Sequence, residues 1–122
     1  MKKILFFIGV VLLLISCYKD NKEDLYQHLQ PQDCGVIDAV YSTQIVNIIN
    51  THCFRCHNNT RQDGNVNLEG YSRVKPYIDE GSFLGSIEHT GGFAVMPPNG
   101  AKIPFCEIEE VKFWINNGAL NN

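Results

Sequence analysis

No block of lysine and arginine interrupts this sequence. Ten Lys or Arg stand scattered among 13 Asp or Glu in 122 residues. The chain therefore lacks the basic stripe that neutralises phosphates, and a nucleic-acid partner is excluded from the reading. No apolar run approaches the roughly 20 residues that cross a bilayer as a helix. No segment gives a convincing strand signal, and no repeat recurs. Tryptophan occurs once, at position 114, and past the first residue methionine occurs once, at position 96. The length allows one modest domain and little more.

What is present begins with a leader. Lys2 and Lys3 precede an unbroken apolar run from Ile4 to Ile15, which has the length and flanks of a signal-peptide core. The run ends in Leu14-Ile15-Ser16-Cys17, which resembles the lipobox of bacterial lipoproteins. That resemblance implies a leader over 1–16, a lipid on Cys17, and export to the periplasmic or cell-surface face of a membrane. The alternative is an ordinary secretory signal with Cys17 as a stray thiol. Losing Lys2 and Lys3 with the leader takes the formal charge from −3 to −5. Acidity of this size suits a partner with a basic docking patch, or simply solubility. Residues 17–33 are polar, carry Pro31 and lack apolar periodicity, so they read as a tether. As a flexible coil of that length the tether reaches roughly 20–24 Å. Residues 34–122 form the expected domain.

Five cysteines are an odd number, which in an exported chain calls for an account of each. Cys17 takes the lipid. Cys53 and Cys56 belong to the motif discussed below. Cys34 and Cys106 remain, and in an oxidising compartment a disulfide between them is the economical reading. Two buried thiols that never meet are the alternative.

The helical signals are uneven. From Tyr41 the spacing predicts a helix with Ser42 as N-cap and Ile45, Ile48, Ile49 and His52 on one face, running into Cys53. Short helices are expected around Tyr71–Lys75 and Ser82–Glu88, with Pro76 and Gly81 as breakers. A Gly- and Pro-rich loop follows, from Gly91 to Lys102. A last helix carries Glu107, Glu109 and Glu110 in its opening turn, favourable against the helix dipole. Its apolar face is read as Ile108, Val111 and Ile115, flanked by Trp114, and Gly118 ends it. Phe105 and Cys106 stand where a polar cap would normally open this helix, so its start is open.

Cys53-Phe54-Arg55-Cys56-His57 is C-x-x-C-H. Two thiols at this spacing reach the two vinyl edges of one haem, and the adjacent imidazole then sits under the iron. A thioredoxin-like dithiol would follow a strand, whereas a helix precedes this pair. A structural zinc site needs four ligands and usually a second pair, so it would have to recruit Cys34 or Cys106. For a sixth iron ligand the sequence offers Met96, in the rigid Met96-Pro97-Pro98 loop, with His89 as runner-up. His28 falls in the tether, and His52 reads as a surface or capping residue. An isolated Met can also be a core filler, but so polar a loop offers little core.

The order of these features resembles class I c-type cytochromes, and more narrowly the planctomycete-type cytochrome c domain. The matching residues are Cys53 to His57, Gly64-Asn65-Val66-Asn67-Leu68 with Tyr71, Ser82-Phe83-Leu84 with Ile87, Met96-Pro97-Pro98, and Trp114 to Ala119. The resemblance implies an all-α fold in which N- and C-terminal helices pack around one covalent haem c. It implies Met96 opposite His57 as metal ligand, Leu68, Tyr71 and Leu84 lining the pocket, and Trp114 close to the haem. The function it implies is single-electron transfer between redox partner proteins rather than enzymatic turnover. A haem-based catalyst or gas sensor with a labile sixth ligand is the alternative, with His89 its nearest polar candidate.

Overall fold

The computed structural model describes residues 33–122; the leader, Cys17, the tether and His28 lie outside them. The described chain is all-α. A π-helical turn, Tyr41–Ile45, leads directly into α1, Val46–His52. A 3-10 turn at Asp63–Asn65 separates it from α2, Tyr71–Asp79, α3, Ser82–Glu88, and α4, Phe105–Asn116. No strand forms among the described residues; one isolated bridge joins His57 and Gln62.

The first helical segment buries Ile45, Ile48 and Ile49 as its spacing predicts. It starts earlier than expected, with Val40 rather than Ser42 at the N-cap. The cause is remote in sequence. Asn122 accepts the Tyr41 N–H through Oδ1 at 2.9 Å and the Ser42 N–H through its backbone oxygen at 2.9 Å. Two of the amides that every helix start leaves unpaired are thus satisfied from the far end of the chain. Gln44 Oε1 accepts the Val40 N–H at 3.0 Å.

Pro76 does not end α2, which continues to Asp79. Proline removes one intrahelical bond, to the carbonyl four residues earlier. That carbonyl belongs to Ser72, which is exposed, as is Pro76, so water can take the vacant acceptor. Burial of Val74 and Ile78, one turn apart, holds the helix on the core. Gly81, with φ +79°, makes the left-handed residue that closes α2 and opens α3.

α4 opens after Pro104, so the residues in question, Phe105 and Cys106, are its first two. Only Glu107 of the three expected acids lies in its first turn. Its buried face is Ile108, Val111 and Trp114, and Ile115 is only half-buried. The π-turn and α3 both pack on α4, and α2 packs on α3. Lys112 of α4 bridges to Glu88 of α3 at 2.9 Å. Cys34 and Cys106 form a disulfide, with Cα atoms 5.3 Å apart, tying the segment before the π-turn to the first turn of α4.

Candidate functional site

Past the end of α1 the chain winds tightly. Cys53 caps the helix, and its carbonyl accepts the N–H groups of both Cys56 and His57 at 3.1 Å. One turn therefore gathers both thiols and the imidazole. The next residues fold back on themselves. Asn58 Oδ1 accepts the amides of Thr60 and Arg61, both at 2.8 Å, and Asn58 Nδ2 donates to the Phe54 carbonyl at 2.6 Å. The return brings the Leu68 N–H to the His57 carbonyl, at 3.0 Å, and the Val66 carbonyl to the His57 ring. His57 Nδ1–H donates to that carbonyl at 3.3 Å. This fixes the tautomer and leaves Nε2 as the lone-pair nitrogen, the arrangement characteristic of metal-ligating histidines.

These residues line a cavity of about 310 Å3. Cys53, Cys56 and His57 come from the turn, and Met96, Pro97 and Pro98 from the Gly/Pro loop. Leu68, Phe83, Ile87 and Ile103 supply apolar wall. His52 also lines the cavity, and its Nε2 meets Glu107 Oε2 at 2.6 Å, linking the end of α1 to the start of α4. Among the described residues no buried polar side-chain atom lacks a partner. Tyr77, Glu80, Ser82 and Ser86 line it too, and the sulfur and ring-nitrogen donors it offers are Cys53, Cys56, His57 and Met96.

That donor set fits a haem better than its rivals. Cys53 and Cys56 are not joined to each other. Burial pushes the Cys53 thiol up to about 11, so it is protonated at neutral pH. A dithiol oxidoreductase needs the opposite, a thiol lowered towards neutrality. Cys34 and Cys106 are held in their disulfide and cannot complete a zinc site. Among the described residues, no group of three or more His, Cys, Asp or Glu side chains is placed to hold a metal ion by itself. A planar macrocycle attached through two thiols needs only one imidazole and one thioether from the protein, and both face this cavity.

Of the side chains expected beside the site, Leu68 lines the cavity, whereas Tyr71, Leu84 and Trp114 do not. Tyr71 and Trp114 belong to an aromatic cluster with Tyr41, with centroids 5.1 Å (Tyr41–Tyr71) and 5.7 Å (Tyr41–Trp114) apart. Their polar tips are committed to the last residues: Tyr71 Oη–H donates to the Ala119 carbonyl at 2.8 Å, and Trp114 Nε1–H to that of Leu120 at 2.9 Å. Leu84 is a partly buried core residue, while its neighbours Phe83 and Ile87, one turn apart, give α3 its cavity face. Sequence reasoning missed Phe93, which lines the cavity and whose ring packs so closely on Gly85 that no Cβ would fit there. His89, the runner-up ligand, is not a lining residue; its Nε2 contacts the Met96 backbone carbonyl at 3.0 Å.

Comparison of the chain with protein-family models, with curated proteins and with solved structures found no match.

Proposed function

We propose that residues 34–122 are a small class I c-type cytochrome domain of the planctomycete type, carrying one haem c and transferring single electrons between redox partners. The observation that carries this reading is the convergence of Cys53, Cys56 and His57 with Met96 on one cavity. When bound, the haem supplies a one-electron iron couple. Cys53 and Cys56 would hold its edge as thioethers, and His57 would offer Nε2, oriented by the Val66 carbonyl. Met96 offers a soft sulfur, which favours the reduced metal and raises the potential. Leu68, Phe83, Ile87 and Ile103 would keep water from the macrocycle. A catalytic or gas-binding role would call for a labile sixth ligand with a polar group beside it, and His89, the candidate for that group, is engaged with the Met96 carbonyl instead.

The test is a spectrum. The purified protein should stain for haem after denaturing electrophoresis, and its oxidised form should carry the weak near-infrared sulfur-to-iron band. Met96→Ala should remove that band, lower the potential and open the iron to carbon monoxide. A wild type without covalent haem would end the proposal, and one that already binds carbon monoxide readily would favour catalyst or sensor.

We further propose that the chain is a lipoprotein, anchored through Cys17 to a bacterial membrane and spaced from it by residues 17–33. Cys17→Ser should release the protein from membranes or block its maturation. Continued labelling of that variant by a fatty-acid analogue would refute the anchor.

A further inference from the structure

We infer that His89 is a positioning residue for Met96, holding the loop that presents the thioether. This rests on the reading of Met96 as the sixth ligand. The loop from Gly91 to Lys102 has no helix of its own, and Gly91 and Gly92, with φ +69° and +75°, give it a backbone that few other residues hold in place. Met96 is nevertheless tied at both of its backbone polar groups. Its N–H donates to the Ser86 carbonyl at 3.1 Å, and its carbonyl accepts from His89 Nε2–H at 3.0 Å. Both partners belong to the end of α3, a helix whose Phe83 and Ile87 form the cavity wall. The packing of Phe93 on Gly85 adds a third tie to the same helix.

Two features mark the imidazole as the specific part of this clamp. The Ser86 bond uses only backbone, so any sequence could make it. His89 is the left-handed C-cap of α3, with φ +58°, a position where glycine carries less strain and is the common choice. A histidine here keeps the cap and closes the seven-residue step from 89 to 96 with a side-chain bond. Fixing the Met96 carbonyl limits how far its side chain can swing from the cavity, so the bond acts on the balance between bound and unbound thioether.

The experiment uses the purified haem-loaded protein and imidazole as an external ligand competing with Met96. His89→Gly preserves the left-handed cap and removes the donor; His89→Gln restores an N–H donor of similar reach. Losing one hydrogen bond should strengthen apparent imidazole binding by about fivefold and weaken the near-infrared band. The loop should also become easier to cleave by limited proteolysis. His89→Gln should return all three towards wild type. The inference is overturned if His89→Gly matches wild type while Met96→Ala binds imidazole more tightly, and equally if His89→Gln rescues nothing. If wild type and Met96→Ala bind imidazole alike, Met96 is not a ligand, and both that reading and this inference fall.

Discussion

Replacing Cys53 and Cys56 together with Ala is expected to abolish covalent haem and to leave the domain largely unfolded. The first half follows from chemistry, because no other thiol lines the cavity. The second follows from magnitude. The cavity measures about 310 Å3 and is walled by Leu68, Phe83, Ile87 and Ile103. At about 24 cal/mol per Å3, a void of that size costs up to roughly 7 kcal/mol. Small domains are stable by only about 5–15 kcal/mol. A macrocycle filling that space would supply much of this margin. Far-UV circular dichroism and haem staining of the double variant measure the two halves separately. A haem-staining band that survived denaturing electrophoresis would contradict the attachment, whatever the fold did.

Removing the Cys34–Cys106 disulfide should have the next largest effect. The bond spans a sequence separation of 72, and closing a loop of that size is worth about 4 kcal/mol in the chain-entropy account. For a domain of this length that corresponds to a melting temperature lower by about 15–30 °C. Cys34→Ala/Cys106→Ala is the cleaner variant, since a single replacement leaves a thiol able to pair wrongly. Cys106 sits beside Glu107, the partner of His52 at the cavity rim. The loss should therefore loosen the site as well as the fold, with easier entry of external ligands. In unfolded, unreduced wild type neither cysteine should react with a thiol reagent; two reactive thiols would contradict the pairing.

Local pattern made part of this legible. Ile45, Ile48 and Ile49 announced a buried face, Ser82–Glu88 was bounded by Gly81, and counting cysteines paired Cys34 with Cys106. C-x-x-C-H and Met96 announced the donor groups that the fold brings to one cavity. Other features depend on residues distant in the chain. Asn122 moved the start of the first helix, and no window around Ser42 contains it. The aromatic cluster drew Tyr71 and Trp114 away from the cavity because the acceptors for their polar tips lie at Ala119 and Leu120. Pro76 misled for a different reason: its effect depends on whether the carbonyl it orphans meets water, which sequence does not state. His89 was weighed as an iron ligand because its type suits metals, whereas its backbone position made it a brace for the residue that does face the cavity.

The closing residues also set an order of events. A chain made N-terminus first delivers Cys53, Cys56 and His57 well before the Asn122 acceptors that complete the helix leading into them. The Tyr41 and Ser42 amides find Asn122 across a separation of 81 positions, and contacts of such long range form late because loop closure must precede them. Until then the turn of Cys53, Cys56 and His57 follows a helix whose first amides lack these acceptors. The helix that leads into the two thiols and the imidazole thus depends, for its first amides, on a residue that no local stretch of chain supplies.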